Sequence, residues 1–216
     1  MSESPAASPA ILLAMTAVTG VVDAVSFLSL GHVFTANMTG NVVLLGFAFA
    51  GTPGLSVPRS SVALIAFLAG AVAGGRMTLD SDGRRWATRA FLVEAALLGL
   101  SAVLAIINPL QEYAVIVSTA VAMGLRNAVV RKLAVPDLTT TVLTLTLTGL
   151  AADSRMAGGD NPRWQRRLAA IVAMLAGAAA GALMVIRSIW VPLAICSVIT
   201  AGCAITHLID SKRRQP

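Results

Sequence analysis

The sequence predicts an all-α integral membrane protein: six transmembrane helices plus two short re-entrant half-helices, in two inverted repeats. Three observations carry this prediction. Hydrophobic residues make up 56% of the 216 positions and charged ones only 12%, with mean hydropathy +0.81. That is more apolar surface than a soluble domain of this length can bury. The apolar residues also fall into runs long enough to cross a bilayer. Finally, the stretch GVVDAVSFLSLGHVFTANMTGN, residues 20–41, has a second copy of its outline 104 positions later. Gly20 matches Gly124, Asp23 matches Asn127, Ala24 and Val25 match Ala128 and Val129, and Thr35 matches Thr139.

A spanning helix needs about 20 largely apolar residues. Runs at 10–30, 60–79, 90–107, 113–133, 168–185 and 189–209 meet this length. The start, MSESPAASPA, has no Lys or Arg ahead of the first run, so it lacks the charged region of a secretory signal, and that run is expected to stay as a span. Two further runs, 42–51 and 142–152, are apolar but short. A ten-residue helix covers about 15 Å, half the hydrocarbon thickness.

Charge decides between half-helices and extra spans, because Lys and Arg gather on the cytoplasmic side. Six spans place Arg76, Arg84, Arg85, Arg89, Arg131, Lys132, Arg155, Arg163, Arg166, Arg167, Lys212, Arg213 and Arg214 on one side, and only Arg59 and Arg187 on the other. Eight spans, as two parallel repeats, would split the same residues almost evenly. The six-span reading puts both termini in the cytoplasm. The net charge of +6 and pI near 10.6 are therefore a topology signal and not a nucleic-acid footprint.

The duplication continues past the opening stretch. AFLAGAVAG at 66–74 and AMLAGAAAG at 173–181 agree at seven of nine positions, at an offset of 107. One membrane domain, 1–216, would thus hold repeat A at about 10–107 and repeat B at about 113–209. Each repeat contains three full spans, an odd number, so the second is inverted relative to the first, a plan common among secondary transporters. Gly70 with Gly74, and Gly177 with Gly181, form small-xxx-small faces that let backbones approach. The simplest expectation packs these two helices near the centre of the bundle.

Asp23 lies midway through the first span, where a carboxylate costs on the order of 2.5–3.5 kcal/mol on insertion scales. It is either a proton, cation or substrate contact, or one half of a structural pair with Arg126 or Asn127. Residues 35–41 and 137–141 bring Thr35, Asn37, Thr39, Gly40, Asn41, Thr139, Thr140 and Thr141 directly before the short apolar runs. If the chain enters extended and returns as a half-helix, free amides at the helix start favour anionic or polar groups. The competing reading makes these ordinary loop and cap residues, with Asp137 capping the helix that follows. Residues 143–148 alternate Leu and Thr, a strand-like period, yet threonine can bond back to the preceding turn of a membrane helix, and helix is the expectation.

Glu94, a few residues into the third span, is expected to snorkel with Arg89 toward the cytoplasmic surface, and Arg126 toward the end of its own span. His32 and His207 are expected at interfaces. Cys196 and Cys203, seven apart in one helix, are too far apart for a disulfide and read as packing residues. No HExxH, CxxC, P-loop or GxSxG motif occurs, so no enzyme, cofactor or metal is expected.

The strings TANMTGN and PDLTTTVLTLTLTGL, inside GVVDAVSFLSLGHVFTANMTGNVVLLG and GLRNAVVRKLAVPDLTTTVLTLTLTGLAADS, resemble the YoaK-like family of bacterial membrane proteins over nearly the whole chain. The resemblance implies a multi-pass inner-membrane protein of about six helices and supplies no catalytic residues. Asp23, Asn37, Thr39, Gly40, Asn41, Asn127 and Thr139 to Thr141 match its motifs. The expected function is a small transporter or channel for a small polar or ionic solute, with Asp23, Asn37, Thr39, Asn41, Asn127, Thr139, Thr140 and Thr141 on its path. The alternative is a structural or partner-binding membrane subunit. The lipid bilayer is the expected surrounding and no nucleic acid a partner, while the Gly-rich faces leave association with a second copy open.

Overall fold

The computed structural model describes residues 7–79, 85–107, 111–135, 140–141, 143–161 and 163–213. Within them the chain forms eight α-helices and no strand: α1 Pro9–Ser29, α2 Met38–Phe49, α3 Val57–Met77, α4 Arg85–Ile107, α5 Glu112–Leu133, α6 Thr144–Ala152, α7 Trp164–Val185 and α8 Trp190–Arg213. A short 3-10 turn, Arg155–Ala157, follows α6. Six helices are long and apolar enough to span a bilayer, while α2 and α6, of 12 and 9 residues, are not. The alternating Leu-Thr stretch is helical from Thr144.

Local chemistry explains the breaks. Pro residues stand in the first turns of α1 and α3, where a missing N–H costs nothing. Ser56 caps α3 by accepting from the Arg59 amide, and Asn37 caps α2 by accepting from the Gly40 amide. At the end of α1, Gly31 and His32 both adopt left-handed backbone, φ 80° and 59°, and turn the chain back along the helix it has just left. Ala134, φ 50°, ends α5 similarly.

Side-chain registers fix the helix directions. Arg59 and Glu112, at the starts of α3 and α5, form an ion pair of 2.6 Å, and Gly70 and Gly74 further along press on Val121 and Leu125. These helices are therefore parallel. So are α1 and α7, where Gly177 meets Ala17 and Gly181 meets Val21. By contrast Thr88 bonds His207 while Ser197 bonds the Ala95 carbonyl, which makes α4 and α8 antiparallel. The bonds Glu94 to Arg126 and Ser101 to Ser118 do the same for α4 and α5. Cys196 lies beside the Val18 carbonyl and Cys203 in the cluster around Leu12 and Met15, so α8 also opposes α1. Hence α1, α4 and α7 run one way and α3, α5 and α8 the other.

That parity settles the number of crossings. Eight spans would require α1 and α3 to be parallel, with α2 crossing between them. They are opposed, so α2 returns to the end it left, and α6 does the same between α5 and α7.

The glycine faces do not meet each other. Among the described residues α3 packs mainly on α5 and α7 on α1, with no α3–α7 contact. At each crossing a methyl on Gly70, Gly124, Gly177 or Gly20 would overlap the backbone of the partner helix. The expected central packing of the two Gly-xxx-Gly helices is thus replaced by two lateral crossings. Each glycine face needs a partner that is itself small at that level, which α1 and α5 supply through Gly20 and Gly124.

Candidate functional site

The deepest polar group is an ion pair. Arg126 is fully buried, its Nε donating to Glu94 Oε1 at 2.6 Å and its Nη2 to the same oxygen. Nη1 donates to the Met15 carbonyl at 2.7 Å and to Thr19 Oγ1 at 2.8 Å. One guanidinium therefore joins α1, α4 and α5. Above and below this layer lie two apolar cores, one around Leu12, Phe91 and Leu125, the other around Val22, Leu98 and Ile116.

This corrects the snorkelling expected of Glu94 and Arg126: neither reaches the surface and Arg89 is not the partner. The reason is helix length. The lead-in RWATRA extends α4 back to Arg85, five residues before the apolar run begins, which puts about 7.5 Å more helix ahead of Glu94. His207 is corrected for the same reason. α8 continues to Arg213, and the imidazole is buried on Thr88 and edge-on to Phe91. The signal missed in the sequence is a pair of opposite charges set inside apolar runs, Glu94 in 90–107 and Arg126 in 113–133. His32, in contrast, is exposed beyond the end of α1.

Asp23 belongs to a different place. Its Oδ1 accepts from the backbone amides of Ala36 and Asn37, at 3.0 and 3.4 Å, in the bend that leads back into α2. The pairing with Arg126 or Asn127 considered from the sequence does not form. Asn127 instead donates to the Met123 carbonyl and accepts from Thr141 Oγ1 at 2.5 Å. The two amides just before α2, those of Ala36 and Asn37, hold the protein's own carboxylate.

A cavity of about 580 Å³ opens beside Asp23, between α1 and α7. Asn37, Thr39 and Gly40 from the start of α2 line it, and so do Thr141 and Thr144 at the start of α6. The carboxylate and the leading ends of both half-helices therefore share one space. A second cavity, about 910 Å³, lies in the groove between α3 and α5, lined by Phe67, Asn127, Arg131 and Lys132. Thr141 borders both cavities.

Asn41 and Thr140, also expected on the path, are not among the residues that line this cavity. Asn41 is buried and ties α2 to α3, accepting from the Phe34 amide and donating to the Ser60 carbonyl at 3.2 Å. Thr140 is buried with left-handed backbone, φ 61°. Thr139 and Asp137 lie outside the described residues. At the other half-helix, Arg167 was not singled out by the sequence. It donates from Nη1 to the Gly149 carbonyl at 2.5 Å and to Asp153 at 2.7 Å, anchoring the end of α6 on α7.

Comparison with known proteins finds 38% identity over 146 residues to UPF0700 transmembrane protein YoaK from Bacillus subtilis (strain 168), covering 66% of this chain and 64% of that protein. The match thus spans somewhat less than two thirds of the relative's length. No solved structure matches. The family model described as "Protein of unknown function (DUF1275)" matches residues 11–206. A multi-pass bundle whose motif-bearing half-helices fall inside that match leads to one conclusion: the chain belongs to the DUF1275 family of transmembrane proteins.

Proposed function

We propose that this protein carries a small polar or ionic solute across the membrane, as a transporter or channel, through the cavity beside Asp23. One observation carries the reading: two half-helices rooted at opposite ends of the bundle, α2 after α1 and α6 after the antiparallel α5, direct their first turns into one cavity that holds an intramembrane carboxylate. Irregular backbone at that depth is tolerated where it lines water or is buried in protein. Discontinuous helices meeting at a central site are a recurrent plan of secondary transporters.

An inverted duplication supports the same reading. Ala17 and Val121 occupy corresponding places 104 residues apart, and they meet Gly177 and Gly70, which correspond at an offset of 107. We place both termini on the cytoplasmic side of a bacterial inner membrane, since Arg76, Arg131, Lys132 and Arg163 fall at one end of the bundle and Arg59 and Arg187 at the other. The chain is read as a carrier and not an enzyme.

The internal bonds of Asp23 favour a second reading, in which the carboxylate only secures the loop before α2. Reconstituted liposomes separate the two. Loaded with a mixture of amines, amino acids, sugars and carboxylates, wild-type vesicles should release at least one solute faster than protein-free vesicles, and Asp23→Asn vesicles should not, with thermal stability kept. Wild-type vesicles as tight as protein-free ones, together with a lower unfolding temperature for Asp23→Asn, would favour the structural reading.

A further inference from the structure

We propose that the solute taken by the Asp23 cavity is an organic cation, an ammonium group carried on an apolar body; this rests on the cavity being the solute site. The half-helix ends by themselves would suggest an anion. Charge and hydrogen bonding reverse that preference. Two of the amides leading into α2, those of Ala36 and Asn37, already donate to Asp23, so these two have no further proton to offer an incoming anion. Among the described residues that line the cavity there is no Lys, Arg or His, and Asp23 alone is ionisable. An anion would enter a low-dielectric space that holds a carboxyl group and no counter-charge, whereas a cation meets its partner there.

The rest of the lining selects the kind of cation. Phe27 and Phe34, stacked with centroids 4.9 Å apart, form one wall, and Leu28, Leu147 and Met174 add apolar surface. Aromatic faces near a carboxylate attract ammonium groups. A bare metal ion needs a close shell of oxygen ligands, which this mostly apolar space does not provide. The cavity of about 580 Å³ falls within the size range of small-molecule sites. Thr39, Thr141 and Thr144 supply hydroxyls that can accept from the remaining N–H groups.

The companion groove shows what the opposite choice looks like. There Asn127 stands where Asp23 would, and Arg131 and Lys132 line the wall, so the two cavities bordered by Thr141 differ in sign.

Protection of an introduced cysteine tests the proposal. Thr144→Cys, in a background where Cys196 and Cys203 are replaced by alanine, is treated with a soluble maleimide in reconstituted membranes. The competitors are phenethylammonium, tetramethylammonium and the anionic isostere 3-phenylpropionate. Phenethylammonium at millimolar concentration should slow labelling at least fivefold and tetramethylammonium less, with 3-phenylpropionate without effect. Adding Asp23→Asn should abolish the protection while labelling continues. Equal or stronger protection by the anion, or none by either ammonium on a cysteine that labels, overturns the cation class and leaves the solute cavity standing. A cysteine that never labels overturns the solute cavity and the cation class together.

Discussion

At the scale of single residues, the deepest commitment of this fold is Arg126. A buried guanidinium that loses its carboxylate becomes an uncompensated charge, at a cost of about 3–5 kcal/mol. Glu94→Ala should therefore lower the unfolding temperature in detergent sharply. Glu94→Gln keeps an acceptor for Nε and should cost less. Replacing both partners, Glu94→Leu with Arg126→Met, should be milder than Glu94→Ala, and differential scanning fluorimetry on the three variants checks the order. Asn41 has a different task. One of its two bonds fastens α2 to Ser60 of α3 and the other holds the connection at Phe34, and Asn41→Ala should cost about 1–3 kcal/mol through the partners left unsatisfied. Hydrogen exchange in 38–49 should accelerate, with little change in α4 or α8. None of these partnerships follows from spacing along the chain: Arg126 and Glu94 are 32 residues apart, and nothing local assigns them to each other.

At the scale of elements, glycine decides which helices touch. Gly20, Gly70, Gly124 and Gly177 sit where a side chain would overlap a neighbouring backbone, so even one methyl must push two helices apart. Gly70→Ala and Gly177→Ala should each lower the unfolding temperature by several degrees. Gly46→Ala in α2, where a methyl meets open space, should be neutral or stabilising, since alanine is the better helix former by about 1 kcal/mol. A Gly177→Ala variant as stable as Gly46→Ala would contradict the crossing. The sequence displayed the Gly-xxx-Gly faces but not their partners. A small-residue face states that some backbone comes close and leaves open which one.

At the scale of the molecule, direction carries the consequence. With α1 and α3 opposed, the turn before α3 and the turn after α6 lie at opposite ends of the bundle. Thr52→Cys and Met156→Cys, both exposed positions, should label with an impermeant maleimide from opposite faces of the membrane. Eight spans would put both on the same face, so labelling from one side only would refute the helix parity. The same parity gives the Asp23 cavity half-helix ends from two opposite directions, and that property distinguishes it from an ordinary groove between helices.

Much of this architecture was legible in the chain because its causes are local. Hydropathy sets which 20-residue windows can leave water, and a run of about ten apolar residues covers only about half the hydrocarbon thickness by itself. The turn at Gly31 is local as well, because backbone freedom belongs to the residue, and the repeated outline around Asp23 and Asn127 marked where polar backbone would enter the membrane. The helix count, the two short helices and four of the polar residues around the cavity, Asp23, Asn37, Thr39 and Thr141, follow from such terms. What the tertiary structure alone decided is partnership: Arg126 with Glu94, Asp23 with the amides of Ala36 and Asn37, α1 with α7 and α3 with α5. A buried polar group takes whichever complement the folded bundle brings within 3 Å, and that is a property of helices distant in sequence, set by how their small and large faces fit.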